Sequence, residues 1–497
     1  MHSLRSRLIS SSVFMVAAKL FQRSVGLISL LILARLLTPE DFAVVAIVSM
    51  VIYFFDVLSS AGSEQYIIQK EELTNGDLNT AWTLDIIIKG ALCLTLILSA
   101  PLIAAFYSAP DLQNILYVSC LILPISALRN PVLHLLRRQL NYKLIFGLSV
   151  WQKLLSFATV MSIVYIEPTY WALIIGDLVA AVVFTIGSYL YNPYRPTLSI
   201  ERTAVQWGFS KWMLSKNILG YLRSQIDTFF VSKLFDANTL GRFYVARDIV
   251  MLPGQNIILP AIQPILAAFR HQQNSTTGIA NQLNQTLLVV TSITLPVVAY
   301  IAQFPHFIID TLLGKQWTAS YNLMPYLTLL VLYIPYVLLL EQILIIRGKI
   351  KFACLFDLFS LLLIMIGLIY IPAENIETFT LIRGGLGIGC TLLLLCTVRF
   401  KIPFSIGLFI FWFLVCIADI YLAVHCARLI TVYVPEYAFL KLIISSASFL
   451  GVYIVTLWLI IILLSPYLQT VKTIKEMIYL CLTQLIPSFD KKTAGSQ

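Results

Sequence analysis

Long unbroken apolar stretches alternate with short polar segments along almost the whole chain. Fourteen stretches are long enough to matter, at roughly 12–36, 42–62, 81–106, 112–134, 144–166, 169–190, 209–234, 240–266, 283–304, 321–345, 351–371, 377–398, 404–427 and 438–465. A helix rises about 1.5 Å per residue, so about 20 apolar residues cross the hydrocarbon layer of a bilayer. An outer-membrane barrel would instead show short segments of alternating polarity. The pattern predicts an all-α polytopic membrane protein with about 14 transmembrane helices.

Composition agrees with the pattern. Hydrophobic residues make up 59% of the 497 positions and charged residues 12%, with a mean hydropathy of +0.87. That is about half the charge of an ordinary soluble domain, which carries roughly 25%. The basic start "MHSLRSRLIS" resembles a signal peptide, but Lys19 and Arg23 interrupt the apolar run and no small-residue cleavage site follows. We expect an uncleaved first span. The eight cysteines show no CxxC pair, which points to packing rather than to disulfides or metal.

The net charge of +10 is spread along the chain. One set of loops holds Arg5 and Arg7, then Arg137, Arg138 and Lys143, then Arg195 and Arg202. Further along come Arg347 and Lys349, Arg399 and Lys401, and the tail lysines Lys472, Lys475, Lys491 and Lys492. The alternate loops "TPED", "SAPD", "IEPT", "DANT" and "PAENIE" carry acids and no cation. By the positive-inside rule both termini face the cytoplasm. The acidic group Glu64, Glu71, Glu72 and Asp77 falls on the same side, but acids count for little in that rule. Nucleic-acid binding would need the cations gathered on one folded domain, and it is not expected.

Two of the external corners share an outline. "LARLLTPEDFAVVA" (residues 33–46) and "VSKLFDANTLGRFY" (231–244) align without a gap. In the first, Thr38 suits an N-cap, Pro39 the first helical position, and Glu40 and Asp41 the positive end of a helix dipole. In the second, Lys233 stands for Arg35, and Asp236 is expected to cap. Six spans separate the corners, so both face outward, and two six-helix lobes related as parallel repeats follow. The expected organisation is an N-terminal six-helix lobe (1–190), a cytoplasmic inter-lobe link (191–207) and a C-terminal six-helix lobe (208–400). An appended helix pair (401–466) and a cytoplasmic tail (467–497) complete it.

"LLILARLLTPEDFAVVAIVSMVIYFFDVLSSAGSEQYIIQ" and "RSQIDTFFVSKLFDANTLGRFYVARDIVMLPGQNIILPAIQPIL" carry a resemblance over about the first 400 residues. The chain resembles the polysaccharide-transporter branch of the multidrug, oligosaccharidyl-lipid and polysaccharide exporter superfamily, in particular exporters of colanic acid, teichuronic acid and lipopolysaccharide O-units. "ARLLTPEDF" is the most specific part, although the family pattern usually has glycine where Ala43 stands. The resemblance implies a flippase in the bacterial cytoplasmic membrane. It would carry an undecaprenyl-diphosphate-linked oligosaccharide across by alternating access of two lobes, for surface polysaccharide biosynthesis. Its partners would be that lipid-linked substrate, membrane lipid, and a polysaccharide polymerase and glycosyltransferases. The alternative is a cation-coupled multidrug or metabolite exporter of the same superfamily.

Charges inside the spans are the candidate chemistry, because ionisable groups at membrane depth are costly and face a cavity or a partner. Lys19 and Arg23 are four apart on one face of span one, roughly 10–17 Å into it, with no acid three or four residues away. Such a pair suits a diphosphate, or else balances acids on other helices such as Asp56. Arg223 and Arg247 are further substrate-binding candidates, each beside an acid, Asp227 and Asp248. Asp85 and Lys89 fit a local bridge. Asp56, Asp177, Glu341, Asp357 and Asp419 are candidates for ion coupling or structural charge.

Other patterns carry less. "GGLGIG" (384–389) imitates a dinucleotide fingerprint but follows no strand, and its small residues suit close helix approach. Pro253, Gly254, Pro260 and Pro264 are expected to bend span eight. The scattered histidines form no metal cluster, and no phosphate-binding P-loop motif is present. No cofactor, metal or covalent catalysis is expected.

Overall fold

The computed structural model describes the chain apart from residues 1, 60–65, 68, 69, 71, 72, 140, 191–193, 202, 261–268, 270–274, 372 and 486–497. Glu64, Glu71, Glu72, Arg202, Pro264, Lys491 and Lys492 therefore lie outside the described residues. All regular structure among the described residues is helical. The chain falls into two compact units, residues 1–245 and 246–497.

The first unit contains α1 (His2–Leu36), α2 (Pro39–Ser59), α3 (Asn75–Phe106), α4 (Asp111–Ser119), α5 (Ile122–Ala127), α6 (Val132–Arg138), α7 (Tyr142–Ile166), α8 (Trp171–Leu190) and α9 (Thr203–Leu234). It ends within α10 (Ala237–Pro253). The second contains α11 (Thr276–Gln303), α12 (Pro305–Leu312), α13 (Met324–Ile346), α14 (Ile350–Tyr370), α15 (Ile376–Lys401), α16 (Ile406–Val432), α17 (Ala438–Leu464) and α18 (Gln469–Leu485).

A helix occupies each of the fourteen expected stretches, but fewer qualify as spans. Among the described residues, eleven are long and apolar enough to cross a membrane, or twelve if the bent run α4–α6 counts as one. The run bends by 64° between Ala127 and Val132. Asn130–Pro131 stands at that break, where a residue before proline is driven out of helical geometry. The two helices not among them are α9, which carries Arg223, Asp227 and Lys233, and α10, whose α-helical part is 17 residues long and carries Arg242, Arg247 and Asp248.

Helix ends follow local chemistry. Thr38 caps α2 as expected, and Asp41 completes a reciprocal cap: the Asp41 amide donates to Thr38 Oγ1 at 3.3 Å, and the Thr38 amide to Asp41 Oδ2 at 3.0 Å. Thr74 and Asp77 do the same for α3. Buried Asp77 also accepts from Tyr66 Oη at 3.0 Å and Lys70 Nζ at 2.7 Å. That hydrogen bond raises the Lys70 ammonium above its ordinary value. Expectation and structure part at Asp236, whose carbonyl accepts from Leu240 but whose side chain makes no cap among the described residues. Pro253 ends the α-helical part of α10 and a π-helical turn, Gly254–Ile258, follows, so the expected irregularity of span eight is present.

In a bilayer the hydrophobic effect gives helices no reason to associate, so close packing and interhelical hydrogen bonds must hold them. In the first unit α8 meets α7 through glycines. A Cβ on Gly176 would stand 2.3 Å from Val160, and one on Gly187 2.4 Å from Leu148. In the second unit α11 is tied to α16 and α17 around Ser292: Trp412 Nε1 donates to its hydroxyl at 2.9 Å and Tyr453 Oη to its carbonyl at 2.8 Å. The stretch read as a tail begins with α18, which buries Val471 and Ile474 in that same core. The described part of the link is strapped to α3. Thr197 and Ser199 donate their amides to Asn79 Oδ1 at 3.1 Å and Thr83 Oγ1 at 2.9 Å.

Candidate functional site

The first unit encloses a cavity of about 290 Å³ whose polar lining comes from five elements. Asp56 enters from α2, Ser119 from α4, Ser126 from α5, Arg129 from the bend after it, Gln152 from α7 and Asp177 from α8. The bend places Arg129 there. The Arg129 guanidinium sits 5.0 Å from the centre of the Phe184 ring, and the charges of Asp56 and Asp85 act on it. Lys89 donates to Ser126 Oγ at 3.2 Å, reaching α5 from α3, and Asp85 is engaged as well.

Lys19 and Arg23 lie exposed on α1, four residues apart, and Arg23 is engaged. Helix α7 packs along α1, and there Lys153 brings a third cation. Its Nζ lies 3.8 Å from where a Gly26 Cβ would stand, about one turn from Arg23. Lys153 also acts electrostatically on Asp177. Lys153, beside this face of α1, thus stands within electrostatic reach of a cavity lined by Asp56, Asp177 and Arg129. Cations of this kind hold phosphate oxygens by charge-assisted hydrogen bonds, and carboxylates in such a cavity take up a cation or a proton.

On α9, Arg223 is half-buried and Asp227 buried, and both are engaged. Between α9 and α2, Tyr221 Oη donates to the Met50 carbonyl. Arg247 lies just inside the second unit, half-buried and engaged, next to exposed Asp248. The second unit also buries ionisable groups. Glu341 and Asp357 are buried and engaged, and Asp419 accepts from Thr456 Oγ1. Among the described residues no three His, Cys, Asp or Glu side chains are grouped to hold a metal.

The two similar corners touch each other. Asn238 Nδ2 donates to Glu40 Oε1, a pairing across 198 positions. Gly241 lies so close to α2 that a Cβ there would stand 1.7 Å from the Pro39 carbonyl oxygen. Lys233 donates to the Phe106 carbonyl at 2.8 Å and lies 4.2 Å from the centre of its ring.

The corners, the cavity and the cation row all lie within the segment that matches a family model described as "Polysaccharide biosynthesis protein", residues 32–322, or begin just before it. The chain belongs to this family. Relatives include the lipopolysaccharide biosynthesis protein WzxC of Escherichia coli K12, 23% identical over 66% of this chain and 67% of that one. Another is the succinoglycan biosynthesis transport protein ExoT of Rhizobium meliloti 1021, 22% identical over 60% of this chain. The chain spans about two thirds of WzxC and 61% of ExoT. Among solved structures, the lipid II flippase MurJ in its inward closed conformation shares the fold with a TM-score of 0.71 at 16% identity, covering 89% of this chain and 97% of that one. A multidrug resistance MATE transporter in an inward-facing conformation gives 0.55 at 12% identity.

With eleven helices among the described residues long and apolar enough to span, the chain is a multi-pass membrane protein, and sequence reasoning passed over several charges inside its expected spans, among them Arg129, Lys153 and Arg383. Arg129 was absorbed into a span expected to run straight through the bend. Lys153 was passed over inside an apolar run. Arg383, buried in α15 with its guanidinium 5.8 Å from the centre of the Tyr333 ring, was overlooked beside the glycine-rich motif. Each was legible as a charge at membrane depth.

Proposed function

We propose that the protein is a flippase that moves an undecaprenyl-diphosphate-linked oligosaccharide across the bacterial cytoplasmic membrane for surface polysaccharide biosynthesis. The feature that supports this reading is the row of cations Lys19, Arg23 and Lys153 on packed helices of the first unit, in a chain of the polysaccharide biosynthesis family. A lipid diphosphate offers several oxygens and at least two negative charges, so neighbouring cations can hold it together. Arg223 and Arg247 complete the proposed substrate contacts, and Asp56 and Asp177 in the cavity are the proposed coupling groups. Asp85, Lys89, Asp227 and Glu341 are assigned to structural or coupling charge.

In this reading two six-helix lobes, residues 1–190 and 208–400, alternate access around the substrate. The link 191–207 joins them, and both termini are cytoplasmic. The likeness to WzxC, a biosynthesis protein for lipopolysaccharide, and to MurJ, a lipid II flippase, supports the substrate class. A polymerase and glycosyltransferases are its proposed partners. The acid-lined cavity also suits a cation-coupled exporter of smaller solutes, the second reading. Export of surface glycan in a strain lacking its own flippase separates them. The first reading predicts restored glycan, and the second predicts drug resistance without glycan.

A further inference from the structure

The glycine-rich motif of α15 has two uses, and packing accounts for one of them. Gly384 and Gly387 admit α13: a Cβ on either would stand 2.6 Å from Leu329 or 2.4 Å from Tyr333. Gly385 and Gly389 have nothing within 4 Å of that position. They open instead into a groove between α14 and α15, with a volume of about 550 Å³. Its walls are apolar, among them Leu363 on α14 and Ile382, Leu386, Leu393 and Cys396 on α15. The residues from Ile382 to Cys396 recur at helical spacing along one stripe of α15, roughly 21 Å of helix.

The stripe runs into charge. Three and four residues beyond Cys396 stand Arg399 and Phe400, the latter 90% exposed. Lys401 follows, with its Nζ 3.8 Å from the centre of the Phe352 ring, which brings this end of α15 beside the start of α14. Arg347, Lys349 and Lys351 lie there, Lys349 and Lys351 exposed. Segments 342–356 and 391–405 contain five cations and no acid. An apolar trough that is open sideways and ends beside Lys349, Lys351, Arg399 and Lys401 complements one chemistry, a long hydrocarbon chain bearing an anionic head.

We propose that this groove binds an anionic glycerophospholipid, with an acyl chain along Gly385 and Gly389 and the phosphate at Lys349, Lys351, Arg399 and Lys401. Charge complementarity selects the head, and the length of the stripe, greater than half the hydrocarbon layer, suits a single-leaflet chain. This end is cytoplasmic in the proposed topology, but the site does not depend on that reading.

The test is native mass spectrometry of the full-length protein in detergent, titrated with phosphatidylglycerol or with phosphatidylcholine of the same chains. Phosphatidylglycerol should bind more tightly. Lys349→Gln with Arg399→Gln should weaken it about 30-fold, two near-surface cations' worth, and leave phosphatidylcholine unchanged. Gly385→Leu with Gly389→Leu should weaken both lipids. If that variant does not fold, the charge variant decides alone. Equal affinity for the two lipids, or an unchanged phosphatidylglycerol affinity in the charge variant, would overturn the site. Displacement of phosphatidylglycerol by a lower concentration of a polyprenyl phosphate would overturn the phospholipid as occupant.

Discussion

The two units treat ionisable groups differently. The first gathers Asp56, Arg129 and Asp177 around one cavity, with Gln152 and serine hydroxyls between them. The second sinks Glu341, Asp357, Arg383 and Asp419 among packed helices, each 3–4% exposed and each engaged by neighbours. A charge inside packed helices must be matched by fixed neighbours, and losing it leaves those neighbours unsatisfied. A charge on a cavity wall keeps room for water or a ligand, and its loss costs little structure. Loss of the second set is therefore expected to cost stability and, under the proposed function, loss of the first to cost transport.

Arg383→Leu should have the largest effect on folding. Each buried group it leaves unmatched costs about 1–3 kcal/mol, and the yield of monodisperse protein in size-exclusion chromatography should fall severely. Asp177→Asn should do the opposite, cutting glycan export at least tenfold while leaving that elution profile and the thermal midpoint unchanged. If Asp177→Asn also aggregates, the contrast fails. Gly241→Ala must push α10 off the Pro39 carbonyl. Disulfide formation between cysteines placed at Glu40 and Asn238 should then drop several-fold, read by gel shift after oxidation in a background without native cysteines. Thr38→Ala should be the mildest, removing one cap worth about 1 kcal/mol and lowering the thermal midpoint by a few degrees at most.

Helices and caps were legible in the sequence because both are local. Apolar run length marks a helix, and "TPED" contains all the atoms of its own cap. The close helix approach expected of "GGLGIG" is met at Gly384 and Gly387. The bend at Asn130–Pro131 was legible too but was read past, and with it went Arg129. Neighbourhood was not legible. That Lys153 stands beside Gly26, or that Asn238 meets Glu40, depends on which helices pack together, and similar apolar surfaces do not specify that. The Asp236 cap was expected by analogy with Thr38, yet Asn238 and Gly241 hold that corner instead.

The cation row is the centre of the functional reading, and Arg23 is its most direct test. Glycan export should be measured in a flippase-deficient strain expressing the wild type, Arg23→Gln, Arg23→Lys, or Lys19→Gln with Arg23→Gln, with membrane levels matched by immunoblot. A diphosphate held by the row predicts no export from Arg23→Gln or the double variant. It predicts partial export from Arg23→Lys, which keeps the charge and loses the planar fork. Normal export by the double variant at wild-type membrane levels would contradict the account.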